Sequence, residues 1–158
     1  MRNVPFIAIL LGAAGLIPFL GCSFGALSQQ GEWARLSLLG LSAYGAIILS
    51  FLGAVHWGIA LTAQEAPPSV QRARFALGVL PALIGWAGLM VTFVGLPKTG
   101  LVVLALGIAF TTVIEGRAAR AGLVPPGYML LRWVLSVIVT VCLVSVVMVL
   151  LLGGRVVL

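Results

Sequence analysis

Five times along this chain a long apolar run passes without a single charged side chain. The runs cover residues 3–29, 36–63, 75–97, 99–114 and 133–154. A bilayer core about 30 Å thick is crossed by about 20 apolar residues of helix. The fourth run is the shortest; the others reach or exceed that length. Composition supports the same reading: 62% of the residues are hydrophobic and 8% are charged, where a soluble domain carries about 25% charged. A membrane β-barrel is a poor alternative, because its strands alternate apolar and polar residues. The run from 134 to 152 is apolar on every face, and a helix satisfies its own backbone hydrogen bonds in lipid.

The expected fold is therefore all-α and integral to the membrane. It has one transmembrane domain over residues 1–158, with five helices at about 4–27, 36–63, 75–96, 101–114 and 130–152. Residues 97–100 read as a tight turn. A weak repeat runs through the chain. Gly15-Leu16-Ile17-Pro18-Phe19-Leu20 resembles Gly78-Val79-Leu80-Pro81-Ala82-Leu83, and Ala43-Tyr44-Gly45 is followed at a similar offset by Ala105-Leu106-Gly107. It suggests two parallel helical hairpins plus a fifth helix; chance likeness between apolar helices is the alternative.

The net charge of +6 is no nucleic-acid footprint, since the basic residues are few and lie between apolar runs. They report topology instead. With five spans, Arg2, Arg72, Arg74, Arg117, Arg120 and Arg132 share one side, and Arg35, Lys98 and Arg155 the other. The positive-inside rule then sets the N-terminus in the cytoplasm and the C-terminus outside. The first run resembles a secretory signal, with Ala26-Leu27-Ser28 as a passable cleavage site. Its apolar core is longer than the ~7–15 residues usual for a signal, so a retained helix is expected.

Small residues recur at helix-packing spacing: Gly21 with Gly25, and Ala54 with Gly58. Intramolecular packing is the ordinary reading and a homo-oligomer interface the alternative. Pro18 and Pro81 each remove a backbone donor within an apolar helix, so each is expected to kink it. Cys22 and Cys142 read as small packing residues. Trp33, Trp57, Trp86, Tyr128 and Trp133 suit anchoring at the membrane interface.

His56 is the chain's one histidine and falls within the second helix. A polar residue at that depth usually faces a bundle interior or a wet cavity. It is either a proton relay or ligand contact, or a satisfied interhelical hydrogen bond. Glu115 ends the fourth run, and Arg132 opens the fifth on the same side. A structural ion pair between them competes with a polar site of His56, Glu115 and Arg132 around one cavity. No cofactor or metal is expected: one histidine cannot form a bis-histidine haem, and the cysteines lack metal-ligand spacing. No nucleophile triad, phosphate loop or paired carboxylates occur, so an enzyme is disfavoured.

Several segments also resemble a known family. They are Gly15 to Phe19, then Tyr44-Gly45-Ala46-Ile47-Ile48-Leu49-Ser50-Phe51-Leu52-Gly53-Ala54-Val55-His56-Trp57-Gly58, then Leu80 to Trp86, and Tyr128-Met129-Leu130-Leu131-Arg132. In this order the chain resembles the uncharacterised multi-pass membrane family that includes transmembrane protein 69, a domain of unknown function. That resemblance implies a retained first helix and supplies no reaction. The family commonly carries an aspartate near the end of the fourth helix, where Glu115 stands here. A bacterial inner membrane is the expected location, with the mitochondrial inner membrane as the alternative. The expected partners are the lipid bilayer and either other membrane subunits or a second copy. Three roles remain open: an accessory or assembly component of a membrane complex, a small transporter or channel around His56, and a membrane enzyme acting on a lipid or quinone.

Overall fold

A computed structural model describes residues 5–62, 67–120 and 126–153. Among these residues six helices run in order: α1 Phe6–Ala14, α2 Ile17–Leu27, α3 Gly31–Thr62, α4 Pro68–Phe93, α5 Pro97–Arg120 and α6 Pro126–Leu151. No strand occurs among the described residues. Five stretches of the described residues are long and apolar enough to cross a membrane: Phe6–Leu27, Gly31–Leu61, Pro68–Phe93, Pro97–Ala119 and Gly127–Leu151. Arg2 and Arg155, which enter the charge count above, lie outside the described residues, as does the side chain of Arg120.

Most helices extend beyond the charge-free runs. The fourth span covers Pro97–Arg120 rather than 101–114, because Glu115 does not end it. A charged residue closes a lipid-facing helix, but this one is turned inward and paired. The third span begins at Pro68 rather than 75, carrying Arg72 and Arg74 in its first turns. The turn before α5 also shifts. Gly95 takes a left-handed φ of 85°, and the Gly95 and Leu96 amides cap the carbonyls of Thr92 and Val91. Pro97 then opens α5, where its missing N–H costs nothing.

The two prolines differ. Pro18 lies just after a break in the first span, at Gly15 and Leu16, both of which keep right-handed helical angles. The chain stops at Ala14, turns through Gly15 and Leu16, and restarts with Pro18 in the first turn of α2. A proline is tolerated there because first-turn amides have no helical acceptor. The Gly15 carbonyl at the break accepts a hydrogen bond from the Tyr44 hydroxyl at 3.1 Å. Pro81 instead lies buried within the unbroken α4.

Sequence neighbours pack together; α6 closes the bundle against α2, and α3 also contacts α5. Small residues set the approach of α4. A Cβ on Gly53 of α3 would lie 2.3 Å from the Gly78 carbonyl oxygen, and one on Gly100 of α5 would lie 2.6 Å from that of Gly88. The Trp57 indole occupies the place of a side chain at Gly78 and donates to the Phe75 carbonyl at 3.1 Å. It thus keys α3 to α4 rather than only anchoring in the interface. Helices α3 and α5 meet reciprocally. Leu104 lies 3.2 Å from a Cβ on Gly45, and Leu49 lies 3.0 Å from one on Gly107. That exchange joins the glycines of the two repeated segments.

Of the small-residue pairs, Gly25 packs against Ser37 and Trp33 of α3. A Cβ added at Gly21 would meet open space, and Ala54 is exposed. The expected intramolecular packing therefore holds at Gly25 and not at Gly21. The outward surface carries Phe6, Phe24, Phe51, Trp86, Leu106 and Leu130, while Ser42, Thr92, Thr112, Glu115 and Arg132 are buried. Apolar outside and polar inside suits a bundle in lipid, where hydrocarbon contact costs an outward leucine nothing and an outward hydroxyl loses its partner.

Candidate functional site

His56, Glu115 and Arg132 reach one place from three helices. α3 and α5 run parallel and end on the side where α6 begins. His56 and Glu115 are therefore near two C-terminal ends, and Arg132 is near an N-terminal one. All three are buried, Glu115 to 2% exposure. Arg132 donates from Nε to Glu115 Oε2 at 2.7 Å. The His56 Nε2 lies 3.5 Å from Glu115 Oε1, beyond a good hydrogen bond, and Oε1 has no hydrogen-bond partner among the described residues.

Hydroxyls complete the arginine's surroundings. Nη1 donates to Ser136 Oγ, and Nη2 donates to Thr111 Oγ1 at 3.2 Å. Ser136 and Thr112 are 2.8 Å apart. Thr111 and Thr112 donate to the Ile108 carbonyl at 2.9 and 2.8 Å. Each hydroxyl has one proton. With the threonine protons on Ile108, the Ser136 proton must go to Thr112. The chain then runs one way, from guanidinium to serine to threonine to backbone. Burying a charge without such partners would be costly. Thr111, Thr112 and Ser136 were not singled out from the sequence. Their signal was spacing: Ser136 is four residues after Arg132, and Thr111 is four before Glu115, each on its partner's face.

Arg74 is a second buried cation, and its Nη1 has no hydrogen-bond partner among the described residues. In the far half of the bundle, Ser42 and Thr92 form a separate buried pair at 3.3 Å. Cys22 and Cys142 are both free thiols.

A cavity of about 450 Å³ lies between α1, α2, α3 and α6. Tyr128, Arg132 and Ser136 line it at one end of α6, while Phe19, Tyr44 and Val139 line it farther along. From Tyr128 to Val139 an α-helix rises about 16 Å, roughly half the hydrocarbon thickness. Phe51 and Leu11, both 64% exposed, belong to its wall, so its rim faces the lipid side. α1 has no buried residue and touches α6 where Leu135 lies 3.1 Å from a Cβ on Gly12. His56 and Glu115 do not line the cavity; Arg132 and Ser136 connect it to the polar centre.

The chain is similar to known sequences along nearly all of its length. Transmembrane protein 69 of Xenopus tropicalis is 31% identical over 145 residues, which is 92% of this chain and 55% of the relative. The chain thus spans about half the length of that curated relative. No solved structure matches it. A family model described as "Protein of unknown function (DUF3429)" matches residues 4–148, and the chain belongs to this multi-pass membrane family.

Proposed function

We propose that this protein is an accessory membrane component that holds one lipid-soluble, amphipathic molecule, with its polar head at Arg132 and its chain running toward Phe19 and Val139. The observation that carries this reading is the cavity of about 450 Å³ that meets a buried guanidinium at one end and has exposed apolar residues at its rim. Its size is ordinary for a small-molecule pocket, as are mostly apolar walls with a few convergent polar groups. Binding is favoured over catalysis because His56 and Glu115, the acid/base candidates, do not line it. Holding such a molecule for another subunit suits a small chain. We place it in the bacterial inner membrane with its N-terminus in the cytoplasm, on the distribution of basic residues; the mitochondrial inner membrane is the alternative.

Leu135 lines the cavity and is half-buried, so Leu135→Trp fills the space. Native mass spectrometry of protein extracted in mild detergent tests the reading. The wild type is expected to retain one lipid-soluble molecule per chain, and Leu135→Trp to lose it. Equal retention by both, or none by the wild type, refutes the proposal.

A small transporter or channel moving protons is the second reading. It rests on Glu115 Oε1, which is buried without a hydrogen-bond donor among the described residues and 3.5 Å from His56 Nε2. Proton flux into proteoliposomes should fall in His56→Ala. Identical leak in variant and wild type removes that role.

A further inference from the structure

Arg132 sets what kind of head group the cavity can accept. Glu115 pairs with its Nε, so the two charges cancel. Its five N–H donors are partly committed: one to Glu115, one to Ser136 and one to Thr111. One N–H on each Nη nitrogen remains. The other cavity-lining side chains add hydroxyls at Tyr44, Tyr128 and Ser136, but no further cation. A phosphate or carboxylate entering here would bring a second anion to an arginine already neutralised, between apolar walls. A buried charge without its own counter-ion is strongly disfavoured. A neutral carbonyl has no such penalty and can accept a hydrogen bond from a guanidinium N–H.

We infer that the molecule held in this cavity carries a neutral carbonyl head on an apolar chain, of the quinone or glyceride-ester type, and not an anionic phospholipid head. This rests on the lipid-binding reading above and narrows it to one chemistry. The cavity's reach along half a bilayer fits a head at the Arg132 end with the first part of a chain beyond it. Binding needs no redox step and no proton transfer.

The test uses the full chain in detergent and three probes: an alkylbenzoquinone, a diacylglycerol and a phosphatidic acid. Binding is measured by native mass spectrometry against Leu135→Trp. The quinone, the diacylglycerol or both should form a one-to-one complex that Leu135→Trp abolishes; which of them binds names the source of the carbonyl. Phosphatidic acid should form none that Leu135→Trp removes. The double variant Glu115→Gln with Arg132→Met takes out both charges together. It should weaken the neutral probe by about tenfold, as expected for losing hydrogen bonds from a charged donor. Phosphatidic acid binding that is lost in Leu135→Trp and tighter than either neutral probe overturns the inference while leaving the cavity reading intact. Unchanged neutral-probe affinity in the double variant also overturns it. If no probe gives a complex sensitive to Leu135→Trp, both readings fall.

Discussion

Glu115 and Arg132 stabilise the bundle only as a pair. Removing one partner leaves a buried charge alone, which typically costs about 3–5 kcal/mol, whereas replacing both with apolar groups of similar size is often neutral or stabilising. Arg132→Met is therefore expected to lower stability strongly. Adding Glu115→Leu to it should restore most of the loss. Denaturation by sodium dodecyl sulfate, followed by circular dichroism, measures both. Additive losses in the double variant would show that the groups are not coupled. At this scale the three charged or basic residues were legible in the sequence, since each interrupts or borders an apolar helix. Thr111, Thr112 and Ser136 were not. Hydroxyl residues blend into membrane helices because they can return a hydrogen bond to their own backbone, so only contact with Arg132 sets these three apart. A milder change is expected at Tyr44→Phe, which removes the hydrogen bond to Gly15 across the helix break. A loss of about 1 kcal/mol is anticipated in the same assay.

Helices α3 and α4 are held close by glycines whose roles differ by position. A methyl group at Gly53 would press on the Gly78 carbonyl oxygen at 2.3 Å. Backbone cannot swing aside, so Gly53→Ala is expected to cost about 1–3 kcal/mol through overpacking. Gly21→Ala meets nothing within 4 Å and should leave stability within about 0.5 kcal/mol. Thermal melts of the two variants check the contrast, and equal melting points would contradict this packing. Both glycines sit in runs that look alike on paper. Spacing announces that helices can approach; it does not say which face is turned to a neighbour. The same limit explains the prolines. Pro18 and Pro81 share a motif, yet one starts a helix and the other lies within one. At Pro18 the helical hydrogen-bond ladder is interrupted at Gly15 and Leu16, which keep right-handed helical angles, and Tyr44 takes the Gly15 carbonyl.

For the molecule as a whole, α5 is long and apolar enough to cross the membrane, which puts Lys98 and Arg117, at its two ends, on opposite sides. With the N-terminus in the cytoplasm, a cysteine replacing Lys98 should react from outside the cell with an impermeant maleimide, and one replacing Arg117 should react only after lysis. Lys98 and Arg117 are exposed, whereas the native thiols lie within the spans, Cys142 buried and Cys22 half-buried. The reverse labelling pattern would invert the topology.

The sequence by itself determined that this protein is a helical bundle with five apolar spans, because a lipid environment leaves helix length and the scarcity of charge as the dominant constraints. It also marked His56, Glu115 and Arg132 as residues that need partners, since a charge in an apolar run cannot face lipid cheaply. Only the tertiary structure decided that α5 continues through Glu115 and that its carboxylate meets Arg132 rather than solvent. Only it showed that Arg132 also lines a cavity. The outcome turns on the rotation of each helix about its axis. Hydropathy is nearly uniform around these helices, so rotation is set by side-chain contacts between helices distant in sequence.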